Sequence, residues 1–418
     1  MALGTGVLAR TTSVLGTHML SRVSTTNVST PMPVFGVDVA WLTAPSSATP
    51  TWSSITEHVR SITIHRGRQH ELDRMEAGTA TIVLDNRGRH YDPTNSSGTY
   101  YGYILPMRRI RVTATWKNTS YNLFHGYIEG WPQTWAERND ATVTITATDG
   151  FKVLALCKLN TSYSSELTSV RVANVLNSVG WPTADRTIAT GLSTLQAATP
   201  DNEPALSHLH DVVNSENGRH FIGANGYYVF HSRLTIGTTP YSVSQVTFSD
   251  ADTSVLPYLD LTMDYDDTQI WNDVRVTRTG GTEQTASDAT SQANYYIRTL
   301  VRSSLVTTDG EAESAASYLC QRYKDPVLRM YGLQVTGGGH EPVYAQMLGR
   351  ELGDRITIVR TPPAGGVAVT TEQIIEQIQH TIRPGYFESK YELSPADASA
   401  LSLYDDPGAI FDTSEWGY

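Results

Sequence analysis

Residues 107–149 read MRRIRVTATWKNTSYNLFHGYIEGWPQTWAERNDATVTITATD, and residues 352–396 read LGDRITIVRTPPAGGVAVTTEQIIEQIQHTIRPGYFESKYELSPA. The two blocks share an order of parts. In each, a strand preceded by a charged residue runs into a loop, and a second strand carries bulky residues: Leu123, Phe124 and Ile128 in one, Ile374, Ile375 and Ile378 in the other. A bend follows, and a third strand alternates apolar and polar residues to its end. Two sources of the pattern stay open on sequence alone, an internal duplication and the common grammar of β-meanders. A duplication would place two similar barrels in one chain.

Outward from these blocks the strand pattern continues. VDVAWL, ITEHVRSITIHRG and GTATIVLDN precede the first block, each run short, alternating and bounded by Gly, Pro, Asn or Asp, as in an antiparallel barrel or sandwich. The pattern predicts a first β-barrel domain at 34–157. The period then changes. ELTSVRVANVLNSVGWP spaces Val172, Leu176 and Val179 as a helix ending at Gly180, and a second helix is predicted from Pro204 to about Ser215, followed by a hairpin turning at Asn225-Gly226. These elements predict a small α/β domain inserted at 158–252. Strands resume in a second β-barrel domain at 253–397, interrupted by a helical insertion at about 290–325. An extended Ser/Thr-rich arm (1–33) and a tail (398–418) flank the whole, so the fold class expected is mainly β with an α+β insertion.

Composition limits the function. Charged residues are only 17% of the 418 and the formal net charge is -11, which argues against a protein that grips nucleic-acid phosphates. Cys157 and Cys320 stand far apart and outside any C-x-x-C context, so they are expected to be free thiols. No apolar run reaches the ~20 residues of a membrane span. The N-terminus lacks a basic segment followed by a sustained apolar one, so the chain is expected to fold in a cytoplasm.

Several clusters invite a chemical reading and are better read as structure. In TATIVLDNRGRHYDP, residues 79–93, Asp85, His90 and Asp92 suggest acid–base work, but Asn86, Gly88 and Pro93 are turn residues, and Arg87 and Arg89 would neutralise the carboxylates. His208 and His210 are two apart on a helix and point about 200° from each other, which denies them a shared metal ion. Asp264 to Asp267 lack the Gly and Glu of a calcium loop. The glycines of TGGGH at 336–340 are not followed by G-K-[ST]. No nucleophile elbow or zinc-protease motif occurs. No catalytic, cofactor or metal site is therefore assigned.

The succession HELDRMEAGTATIVLDNRGRHYDP, YYGYILPMRRIRVTATW, NLFHGYIEGW, VTITATDGFKVLA, SENGRHFIGANGYYVFHSR, DYDDTQIWNDVRVTRTGG, ELGDRITIVRTPPAGG and IEQIQHTIRPGYFESKYELSPA resembles the minor tail proteins that form the tail-tip or baseplate hub of long-tailed bacteriophages. The resemblance covers about 35–397. It implies a virion structural protein with no enzymatic activity: a homotrimer of chains with two tail-tube-like barrels each, presenting six barrels to a sixfold tube. Implied partners are the tail tube, distal tail, tape measure and tip or fibre proteins, with DNA passing through the lumen unbound. Asp85, Asn86, Arg87, Gly88, Asp92, Pro93, Gly126 and Trp131 become structural turn and loop candidates, their Arg and Asp side chains open to subunit contacts. The acidic balance leads to the expectation that carboxylates line the bore. Two rivals remain, a distal ring or receptor-binding protein using Tyr100, Tyr101, Tyr103, Trp131 and Trp135, and a tail-associated wall hydrolase.

Overall fold

Rows of β-branched side chains build the molecule. The structure, a computed structural model, describes residues 32–136, 139–250, 256–337 and 341–396, together with the short strands Leu401–Ser402 and Glu415–Trp416. Most of the predicted arm and tail, and Gly338, Gly339 and His340, lie outside the described residues.

The first group of strands is β1 (Val34–Ala40), β2 (Val59–Gly67), β3 (Glu76–Asp85), β4 (Arg109–Trp116), β5 (Thr119–Gly130), β6 (Gln133–Ala136) and β7 (Asp140–Thr148). Helices α1 (Phe151–Leu156), α2 (Thr168–Ser178) and α3 (Ala205–Glu216) follow, with the hairpin of β8 (Arg219–Ile222) and β9 (Tyr228–His231). The hairpin turns through Gly226 at φ +85°. Next come β10 (Thr247–Ser249) and β11 (Asp260–Asp264). A small sheet of β12 (Asp273–Arg278), β13 (Glu283–Ser287) and β14 (Thr299–Ser304) packs on α4 (Asp309–Tyr323), which opens with a capping box between Thr308 and Glu311. The chain ends in β15 (Arg329–Thr336), α5 (Pro342–Gly349), β16 (Arg355–Arg360), β17 (Val369–Arg383) and β18 (Tyr386–Pro395).

One 14-stranded sheet runs through both β-rich parts. Its first six-strand set lies in the order β2-β3-β7-β5-β4-β1, and its second in the order β11-β15-β18-β17-β16-β10. By rank along the chain both orders are second, third, sixth, fifth, fourth, first. The agreement extends into the strands. Residues of β5 pair with β4 and the line then continues as β6 on β7, and β17 likewise pairs with β16 over Val369–Ile374 in its early half, while along Gln373–Arg383, across a bulge at Ile375/Gln377, it pairs with β18. One pairing differs: β1 runs antiparallel to β4, whereas β10 runs parallel to β16.

The two sets are joined edge to edge, Gln377–Ile382 of β17 pairing antiparallel with Ile62–Gly67 of β2. Across this joint Ile382, Ile62, Ile82 and Ile145 sit opposite one another, and all four are fully buried. They belong to one apolar cluster that takes in both sets and α2 and α3; a smaller cluster lies between β12 and α4. The expectation of two closed barrels is not met as such. Among the described residues no pairing joins the β11 end of the sheet to the β1 end, because each set spends an edge on the strand of the other.

Candidate assembly site

The turn at 85–93 is held by its own polar groups. Asp85 ends β3; its carboxylate takes Arg87 Nε at 2.9 Å and Arg60 Nη2 at 3.1 Å, and Arg60 also reaches Asp140. Burial alone would raise the pKa of Asp85, but the hydrogen bonds from Arg87 and Arg60 outweigh it and bring it to about 2. Asn86 is fully buried. Its Oδ1 accepts the Tyr91 N–H at 2.9 Å and its Nδ2 donates to Gln133 at 2.6 Å. Asp92 accepts Thr94 N–H and Oγ1–H and Arg89 Nε, contacts that hold its carboxyl below the usual range, Thr94 foremost. Gly88 lies where a Cβ would meet the His90 ring at 2.5 Å, and Pro93 is exposed. Above the turn Trp41, Tyr91, Tyr100 and Trp131 stack, with Trp131 Nε1 donating to Leu105 O at 3.0 Å. Gly126, on β5, leaves space that a Cβ would lose to Thr148 O at 2.6 Å. The buried carboxylates of Asp85 and Asp92 are thus engaged within the chain. Gln133, missed on sequence, ties Asn86 to Tyr91 O.

A second polar centre sits where three parts of the chain meet. Glu376, fully buried at the β17 bulge, accepts Arg68 Nε at 2.8 Å, Ser394 Oγ at 2.8 Å and Arg219 Nη2 at 3.3 Å. Burial would raise its pKa; Arg219 and Arg68 reverse that and lower it to about 2. Arg68 follows β2, Arg219 opens the α/β hairpin and Glu376 belongs to the second set, so one carboxylate binds all three. Nearby, Arg322 of α4 reaches Glu71 at 2.7 Å. Sequence reading passed over this cluster, although a glutamate between Ile375 and Gln377 in an apolar strand is a visible signal.

The remaining clusters fall into place separately. His208 bonds Glu203 while His210 bonds His220, so the helix directs them apart. Among the described residues no three His, Cys, Asp or Glu side chains are grouped as metal ligands. Asp264 ends β11, and Asp266 caps Thr268. Cys320 is buried, Cys157 half-buried, and both are free. No helix among the described residues is long and apolar enough to cross a membrane.

Two strand edges and one sheet face are open. Among the described residues β6 pairs only with β7, and β11 only with β15. Trp135 on β6 is 59% exposed; Leu259 and Tyr265, flanking β11, are 61% and 64% exposed. On the face opposite the isoleucines, Glu388, Thr381, Thr63, Thr81 and Thr146 form one row, and Lys390, Gln379, His65, Thr79 and Thr148 the next. Its middle carries hydroxyls and amides, not carboxylates.

No family model and no curated protein matches the sequence. Solved structures do. A tail protein from Neisseria meningitidis MC58 aligns with a TM-score of 0.57 and 11% identity over 86% of this chain and 96% of that one. The 43 kDa tail protein of prophage MuSo2 from Shewanella oneidensis aligns with a TM-score of 0.54 and 13% identity over 87% of this chain and 99% of its own. The chain has the fold of phage tail proteins. At these identities the tail-protein fold is what is shared.

Proposed function

We propose that this is a structural virion protein, a homotrimeric hub at the distal end of a phage tail tube that adapts a sixfold tube to a threefold tip. Each six-strand set is one tube-like module in this reading, with the α/β unit inserted between them. The observation that carries it is the strand order repeated in one chain and joined edge to edge.

The joint within the chain supplies a template for the joint between chains. Inside one chain the second-ranked strand of the first set, β2, pairs with the late half of the fifth-ranked strand of the second, β17. The equivalent pieces left over are β11, second-ranked in its own set, and β6, which continues the fifth-ranked strand of the other. If copies repeat the internal joint, β11 of one chain adds to β6 of the next, and three chains close a ring of six modules. Exposed Trp135, Leu259 and Tyr265 then become buried at the seam. The threonine rows face the bore, which makes its wall near-neutral where an acidic one was expected. Hydroxyls offer duplex DNA no cations to hold it, so it passes without specific binding. The ring ends meet tail tube, distal tail, tape measure and tip proteins.

Sedimentation equilibrium of the purified chain tests this: three-chain mass is expected. Trp135→Lys places a charge on the proposed seam strand and should give monomers with an unchanged circular dichroism spectrum. A stable six-chain ring, or a trimer indifferent to Trp135→Lys, would overturn the reading.

A further inference from the structure

We propose that the residues past the end of β11, Tyr265 together with Tyr296 and Ile297, dock on the 101–105 loop of a second copy of this chain and clasp the seam between neighbours. This rests on the ring proposed above and names the contact that holds it. Tyr296 ends the short helix Ala289–Tyr295 in a conformation that only glycine adopts readily, φ +61° and ψ +171°, with its side chain in solvent at 87% exposure. Buried Asn272 keeps it there: its Nδ2 donates to Tyr296 O at 2.9 Å and its Oδ1 accepts the Arg298 N–H at 2.9 Å. Ile297, between these two bonds, is 67% exposed. The fold thus carries backbone strain to present an aromatic and an aliphatic side chain outward, and aromatic side chains are enriched among the anchors of protein interfaces.

The presented pair lies at the end of β11. Arg298 Nη1 donates to Asp267 Oδ2 at 2.6 Å, and Asp267 follows β11, which ends at Asp264. Tyr265 stands exposed between them. The joint inside the chain shows what residues in such a place touch. Past β2, Arg68 donates its backbone N–H to Glu376 O at 2.9 Å, at the bulge where the late half of β17 begins. In the equivalent seam the residues past β11 meet the bend that precedes β6 in the next copy, at Trp131 and Pro132. Trp131 Nε1 donates to Leu105 O, so this bend carries the 101–105 loop, on which Tyr101, Tyr103 and Leu105 are exposed.

Area favours a second copy as the occupant. Strands β6 and β11 have four and five residues, and a ladder of that length falls short of the ~1,000 Å² that a specific interface buries. An aromatic side chain buries ~150 Å² or more, so the four tyrosines of the two patches, with Ile297 and Leu105, add the missing area. Each patch flanks one of the two strand edges left open among the described residues. A neighbouring copy offers the edge and the patch together and in matching order, whereas a foreign protein would have to match each separately.

Crosslinking and sedimentation of the intact chain test the contact. The double variant Leu105→Cys, Ile297→Cys, treated with a short bismaleimide, should run in denaturing gels as covalent species of two and three chains, while wild type and each single variant stay single chains. Tyr296→Gly removes the ring and suits the backbone angle, so its circular dichroism spectrum should match wild type, yet the concentration at which the trimer dissociates should rise at least tenfold. Ile297→Ser should act in the same direction. A trimer that Trp135→Lys breaks, but that gives no interchain species and ignores both Tyr296→Gly and Ile297→Ser, would reject the contact and leave the ring standing, with the two patches then facing another protein or the host surface. A wild-type chain that stays monomeric and gives no interchain species would reject both.

Discussion

Asp85 shows how a charged residue can stabilise a fold without doing chemistry. Its carboxylate is held to Arg87 and Arg60 at the end of β3, and its pKa of about 2 lies below the ordinary carboxylate value. A depressed carboxylate pKa contributes stability that is present above the unfolded value, near 4, and is lost as pH falls toward 2. Asp85→Asn should cost about 1–2 kcal/mol at neutral pH, discounted because both arginines are partly exposed. Urea unfolding at pH 7 and at pH 2.5 checks this: the gap between variant and wild type should shrink at the lower pH. The turn itself was legible because Asn, Gly and Pro announce it. Its clasp was not, because Gln133 lies 47 residues from Asn86 and carries no local signal of the partnership.

At the scale of elements, alternation along one strand is a local property and the sequence displays it directly. Thr79, Thr81, Thr144 and Thr146 face outward between buried Ala80, Ile82, Val143 and Ile145, and the predicted strands there are present. The helices ending near Gly180 and Glu216 were equally readable from their period and stop signals. Pairing partners are not local, and β10, three residues long, is too short to show a period. The joint of β2 with β17 depends on one backbone feature. Gly67 has φ +106°, and a Cβ there would lie 2.1 Å from Glu376 O. Gly67→Ala should therefore destabilise the protein by more than about 1 kcal/mol, the added side chain being both strained and obstructed. Hydrogen exchange would localise the damage: amides of Ile62–Gly67 and Gln377–Ile382 should lose protection while those of β12 and β14 keep theirs. Uniform loss across the chain would contradict a local joint.

Over the whole molecule, a repeated strand order, one continuous sheet and one carboxylate at the meeting point make the parts depend on one another. The resemblance of the two blocks in sequence hinted at the repetition, but only the pairing order distinguishes a repeat from a meander, since Arg68 and Glu376 are separated by 308 residues. Glu376 is where that dependence is concentrated. Glu376→Gln leaves Arg68 and Arg219 buried without their counter-charge, and breaking a buried pair in this way typically costs about 3–5 kcal/mol. The sign with pH follows from its lowered pKa: the wild-type advantage is complete above the unfolded value near 4.5 and disappears as pH falls toward 2. Urea midpoints of wild type and variant, taken at fixed protein concentration from pH 7 down to pH 2.5, should start well apart and converge below pH 4. Midpoints separated equally at both ends of that range would mean that packing around residue 376, and not its charge, holds the two strand sets and the α/β unit together.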